Sequence, residues 1–193
     1  QTEMGGVDAL EAFKICGLDA QIQYFTAPEY VVPEVKRSLV NTPDWREDYK
    51  IISADPDNRL VHHTVTTPKG QLFYKTGGNR VTTWVVEPLV KTHAEAELVA
   101  AYMPIQKWDP KALEAEYDRV GDAGIFRGTV WGHQPGCWQQ ACFLMGEQEL
   151  IYEAMDEPEF VHSFLQALLE KKLRFIEESI APGKFDIVET GGG

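Results

Sequence analysis

Apolar and polar positions follow two different periods along this chain, and each change of period marks a change of element. Val7, Leu10, Phe13 and Ile15 recur near helical spacing ahead of Gly17, which predicts a short helix closed by a glycine. Residues 18–25 follow as a strand, closed by Pro28. The period then drops to two. Val61-His62-His63-Thr64-Val65-Thr66 and Leu72-Phe73-Tyr74-Lys75-Thr76 flank Thr67-Pro68-Lys69-Gly70, which predicts a β-hairpin. Val81-Thr82-Thr83-Trp84-Val85-Val86 is a third β-rich run. Residues 41–90 are thus expected to form an antiparallel β insert. A stretch of that size buries too thin a core to stand as a separate domain.

Helical spacing then returns. Thr92-His93-Ala94-Glu95 is a capping box opening a helix to about Tyr102, and Asp109-Pro110 is an N-cap with proline at the first helical position. Gly121 and Gly124 end that second helix, and residues 125–130 form a compact strand. Loop and helix fill residues 132–145, and another helix covers 147–155. The longest helix follows Asp156-Glu157-Pro158, with Phe160, Val161, Phe164, Leu165, Leu168, Leu169, Leu173 and Ile176 on one expected buried face. Ala181-Pro182-Gly183 stops it, and residues 185–190 form a last strand before Gly191-Gly192-Gly193. Parallel strands joined by long helical crossovers imply an α/β fold, either an open doubly wound sheet or a (β/α) barrel. The chain contains no glycine-rich nucleotide-binding fingerprint.

Composition narrows the function. The chain has 193 residues, 44% of them hydrophobic, with 5 Trp, 7 Tyr and 9 Phe, enough for a substantial core. A net charge of -12 argues against nucleic acid and against an anionic membrane surface. No apolar run approaches the roughly 18 residues of a transmembrane helix. Three scattered cysteines, Cys16, Cys137 and Cys142, make no disulfide framework, and a cytoplasmic setting is expected. The first methionine is Met4, and the chain stops on a strand and three glycines, so a piece of a larger enzyme is expected.

Chemistry in either α/β architecture sits at the carboxyl ends of the strands. His133, after the strand at 125–130, is the leading acid-base or ligand candidate, with Gln134 beside it. Glu189 is the candidate carboxylate; an ion pair with Arg127 is the plainer alternative. Gly191 and Gly192 would let a ligand approach the backbone. Trp131, Trp138, Phe143 and Met145 form an aromatic-rich stretch that could wall a pocket for a flat ligand. Alternation in the hairpin sends His62 and His63 to opposite faces, so they cannot share one metal there.

Three stretches resemble the uroporphyrinogen decarboxylase superfamily. Asp19-Ala20-Gln21-Ile22-Gln23-Tyr24-Phe25-Thr26 with Val31-Val32-Pro33 is similar to that family's early strand and the Val-Val-Pro after it. Cys137-Trp138 and the helix to Phe143 resemble its Pro-Trp-Thr-Leu helix. Asp156-Glu157-Pro158-Glu159-Phe160-Val161-His162 resembles its Asp-Pro-Glu-x-Val-His helix start. The matches run in order over residues 17–193. The superfamily includes decarboxylases and corrinoid- or coenzyme-M-dependent methyltransferases, all (β/α)8 TIM barrels.

The resemblance implies an incomplete TIM barrel over residues 1–193, with 41–90 as an insert. The decarboxylase's essential aspartate falls on Thr26 and its tyrosine on Phe143, which favours the methyltransferase branch. The implied activity is methyl transfer with a corrinoid partner. Porphyrinogen decarboxylation is the first alternative, and a non-catalytic tetrapyrrole- or partner-binding relative the second. A corrinoid and zinc are the implied cofactors of the intact protein, with zinc ligands beyond this chain. Thr26, Gln134, Trp138, Phe143, Gly191 and Gly192 are the implied substrate-binding positions, with His133 and Glu189 catalytic. A homo-oligomer is also expected, because a partial barrel exposes strand edges.

Overall fold

The structure, a computed structural model, describes residues 7–23, 41–105, 107–130 and 136–190. These form a mixed α/β protein with one parallel and one antiparallel sheet and no closed barrel among the described residues. The chain divides into two compact units. One draws on Gln1–Thr26, Gln106–Gly136 and Lys172–Gly193; the other on Ala27–Ile105 and Cys137–Lys171.

The first unit is built on a three-stranded parallel sheet. Helix α1 (Ala9–Ile15) is capped by Asp8, whose Oδ1 accepts from the Leu10 amide at 2.8 Å. Gly17, at φ +66°, turns the chain out of α1 and into strand β1 (Ala20–Gln23). The strand expected at 18–25 begins only at Ala20 and runs to Gln23, the last described residue of that stretch. Helix α3 (Pro110–Val120) starts at the Asp109 cap and feeds strand β6 (Gly124–Thr129). Strand β7 (Ile187–Glu189) completes the sheet in the order β1-β6-β7, every neighbour parallel.

Alternation decides what this sheet presents. Phe126 and Val130 point into a core with Leu10, Ala20, Ile22, Trp108, Leu113 and Phe175. Gly128 belongs to the same side: a Cβ there would meet the Phe185 ring at 2.9 Å, and that ring stacks on Phe126 at a centroid distance of 5.3 Å. At Gly124 a Cβ would lie 1.9 Å from the Ala20 carbonyl oxygen, so β6 can approach β1 only with glycine there. The opposite side carries Gln21, Gln23, Ile125, Arg127, Thr129, Ile187 and Glu189, all half-buried or exposed.

The second unit holds an antiparallel sheet in the order β2-β3-β4-β5. Strands β3 (Arg59–Thr67) and β4 (Gly70–Gly78) are the expected hairpin, and β5 (Thr83–Glu87) is the third β-rich run. Strand β2 (Arg46–Ser53) has no counterpart in the sequence reading, because Arg46-Glu47-Asp48-Tyr49-Lys50 shows no apolar alternation. Helices α2 (His93–Tyr102), α4 (Cys137–Met145) and α5 (Glu147–Asp156) belong to this unit. Thr92 Oγ1 accepts from the Glu95 amide at 3.2 Å as the capping box requires, but the Glu95 carboxylate reaches back to Lys91 N, not to Thr92 N.

Helix α6 (Pro158–Phe175) is buried along Val161, Phe164, Leu168, Lys172 and Phe175. The expected face is therefore shifted, leaving Leu169 and Leu173 exposed. The helix then widens into a π turn at Ile176–Ile180, closed by Ala181 N donating to Ile176 O at 2.8 Å. That turn buries Ser179, whose hydroxyl accepts from the Trp108 amide at 3.1 Å.

Candidate functional site

The carboxyl ends of the three parallel strands collect polar side chains on the side away from the core. Register places Gln23 beside Arg127, and Thr129 beside Glu189. In parallel strands such neighbours point to the same face, so all four side chains share one surface. Gln23 Nε2 donates to Thr129 Oγ1, and the Arg127 guanidinium donates to Glu189 Oε2. The Val130 amide donates to the Glu189 carbonyl at 3.0 Å, which fixes the end of β7 against β6.

Two features of this row leave bonding capacity for a ligand. Arg127 Nε is shielded from solvent and has no acceptor among the described residues. Glu189 uses one carboxylate oxygen on Arg127, and its side chain is 42% exposed. Exposed Ile125 and Ile187 flank the polar row with apolar surface. Arg127 is the sole cation among the described residues of this face, and Glu189 neutralises it.

Glu189 stands at the carboxyl end of β7 and forms an ion pair with Arg127, the plainer of the two roles its sequence position suggests. Thr26, His133, Gln134, Gly191 and Gly192 lie outside the described residues. Trp138 and Phe143 belong to the other unit, five positions apart on α4. That spacing sets them about 140° apart around the helix axis. Gln23, Arg127 and Thr129 carry no motif of their own in the sequence; only alternation in β1 and β6 marks them, by putting them on the side opposite Phe126.

Beyond the strand ends, the opposite termini of β6 and β7 are tied together by Asp186. Its carboxylate accepts from the Phe126 amide at 2.7 Å and from the Tyr117 hydroxyl at 3.1 Å. The Asp186 bond and charge raise the Tyr117 pKa above its ordinary value. This is a structural junction, at the far end of the sheet from the polar row.

The antiparallel unit contains a buried polar cluster that sequence reading does not find. His63 is 1% exposed. Its Nδ1 lies 3.2 Å from Glu47 Oε1, and its Nε2 lies 3.0 Å from Thr76 Oγ1. Tyr74 stacks on the imidazole at 4.2 Å and donates its hydroxyl to Glu47. His62 points to the other face, against Phe73, as alternation requires. The cluster joins β2, β3 and β4 across one inner face.

A cavity of about 180 Å³ in the same unit is lined by Val90, Lys91, Thr92, Met145 and Glu153 among others. Pockets for organic ligands run to roughly 300–1,000 Å³, so this one is too small for a tetrapyrrole. Partial burial, then the charge of Glu147, raises the Cys142 pKa, which keeps that thiol protonated at neutral pH. Among the described residues no group of three or more His, Cys, Asp or Glu side chains could hold a metal. Nor is any described helix long and apolar enough to cross a membrane.

No family model matches the chain, and neither the curated proteins nor the solved structures searched contain a match.

Proposed function

We propose that the chain is part of a uroporphyrinogen-decarboxylase-like (β/α) barrel enzyme, and that the enzyme transfers a methyl group with a corrinoid partner. The observation that carries this reading is the polar side of the parallel sheet, opposite its apolar core, with Gln23, Arg127, Thr129 and Glu189 at its carboxyl end. Parallel sheets are ordinarily covered on both faces. A polar side with an apolar, helix-packed reverse suits the inner wall of a barrel, whose chemistry lies at the carboxyl ends.

The charge of this wall favours the methyltransferase branch over the decarboxylase. A porphyrinogen with many carboxylates needs several cationic partners. The face supplies Arg127 alone among its described residues, and Glu189 already occupies it. A corrin is a flat ring edged largely by neutral amides. Ile125 and Ile187 supply apolar contact for the ring, and Gln21, Gln23 and Thr129 supply donors and acceptors for amides. In this reading Glu189 takes the proton of the methyl acceptor, and Arg127 holds the carboxylate in place.

The test is turnover by the protein with methylcobalamin and a thiol acceptor, followed through the cobalamin absorbance. Methyl transfer that falls about 100-fold or more in Glu189→Gln, within the span of a lost general base, supports the reading. Carbon dioxide release from uroporphyrinogen with no added cofactor would overturn it.

A further inference from the structure

We propose that β2 is a dimerisation edge, and that two copies of this chain join their antiparallel sheets by pairing β2 with β2 about a two-fold axis at Tyr49. Strand β2 is the outer strand of its sheet and pairs only with β3 among the described residues. It is eight residues long and exposed along most of its length, including Tyr49, Ile51 at 39% and Ile52 at 53%. An open strand of that length presents unpaired backbone donors and acceptors to a second strand.

The sequence of β2 selects both the occupant and the register. Outward-pointing backbone groups occur at every second residue of a strand. Two identical strands in antiparallel pairing must therefore be centred on a residue, not between two. Centring on Asp48 sets Asp48 against itself and Arg46 against Lys50. Centring on Lys50 sets Lys50 against itself, and centring on Glu47 sets Glu47 against itself, although it also places Arg46 opposite Asp48. Centring on Ile51 places the axis at the bulge between Ile51 and Ser53 and leaves little strand to pair.

Centring on Tyr49 does none of this. It stacks the two Tyr49 side chains across the axis and sets Asp48 opposite Lys50 of the second copy, twice. Ile51 of each copy then lies opposite Glu47, and Ile52 opposite the stem of Arg46. Charges on an edge strand usually guard it against pairing. Here the Tyr49 register forms two opposite-charge pairs and sets no like charges against each other, which none of the registers centred on Glu47, Asp48 or Lys50 does, so the same charges favour a second copy of β2. The Arg46–Asp48 contact at 3.3 Å, between side chains about two-thirds exposed, leaves Asp48 open to a second cation.

Sedimentation equilibrium of the chain and three charge variants, with disulfide cross-linking of two cysteine variants, tests this. The expected result is a reversible dimer whose dissociation constant rises about tenfold or more in Asp48→Lys and in Lys50→Asp, each of which creates two like-charge pairs. The double swap Asp48→Lys/Lys50→Asp rebuilds both opposite-charge pairs and restores the dimer. Tyr49→Cys should form a disulfide-linked dimer under mild oxidation. Lys50→Cys, whose two copies sit diagonally too far apart, should not. Circular dichroism of every variant confirms that folding is retained. A chain that stays monomeric at all concentrations overturns the proposal, as does a dimer indifferent to the single charge changes or not rescued by the double swap.

Discussion

At the scale of single residues, the most consequential side chains are those whose partners come from distant parts of the chain. Glu47 accepts from Tyr74 and faces His63, and His63 reaches Thr76. A hydrogen bond to a charged group is worth about 1.5–3 kcal/mol, and groups sharing one network do not act independently. We expect Tyr74→Phe and Glu47→Gln each to lower stability measurably in urea unfolding. The double variant should lose clearly less than the sum, and strict additivity would mean the network carries no coupling. The cysteines give a second expectation. Cys16 is exposed, whereas Cys142 has its thiol pKa raised by burial. At neutral pH an alkylating reagent should therefore label Cys16 well before Cys142; the reverse order, read by peptide mass, would contradict the placement of α4. These clusters could not be read from the sequence, because nothing in Glu47, Tyr74 or Thr76 alone marks the register that brings them to His63. Glu189 and Arg127 were easier: both stand at the carboxyl ends of strands that apolar pattern reveals.

Among the elements, those with a strong period or a strong stop were legible. Asp109-Pro110 opens α3 and Gly121 closes it, and Pro68-Lys69-Gly70 turns β3 into β4. The failures have physical causes. β2 is a charged edge strand whose inward position at Glu47 is polar, so no apolar alternation marks it. In α6, Lys172 occupies a buried position that the pattern assigned to leucines on either side, because a lysine stem can fill apolar space. The π turn adds a residue to one turn and has no composition signal. Close approach of β1 and β6 makes a sharper prediction. Gly124→Ala places a methyl against backbone, which cannot swing away, and overpacking of this kind costs about 1–3 kcal/mol or more. Gly124→Ala should therefore lower the thermal midpoint well beyond Gly121→Ala, whose Cβ meets nothing within 4 Å and whose strain comes from φ +46° alone. Equal losses would show that the two strands are not in that register.

For the whole molecule, charge sets the pH response. Lys75 first, then Lys91, hold the Glu87 carboxyl below its ordinary value of 4.5, and Lys107 with Arg174 do the same for Glu178. Lys184 likewise lowers Glu114. Each folded-state pKa is depressed, so the stability it contributes is complete above the ordinary carboxylate range. It is lost as pH falls through the lower folded value. Glu114 and Glu178 are exposed and Glu87 is half-buried at the surface, so salt should weaken the effect. An acid titration followed by circular dichroism should show stability falling below about pH 4.5, with a smaller fall in Glu87→Gln/Glu114→Gln/Glu178→Gln. An unchanged acid limb in that variant would assign acid sensitivity to other groups.

The same net charge of -12 bears on what the parallel sheet can accept. Its polar side offers neutral amides, two isoleucines and one neutralised arginine among the described residues, which under the proposed function would suit an amide-edged ring better than a polycarboxylate. The most direct measurement is isothermal titration of the protein with methylcobalamin and, in parallel, with uroporphyrin. The account predicts saturable binding of methylcobalamin, weakened about tenfold or more by Arg127→Met and by Gln23→Ala, with uroporphyrin binding far more weakly. Tighter binding of uroporphyrin, or methylcobalamin binding that ignores both substitutions, would contradict it.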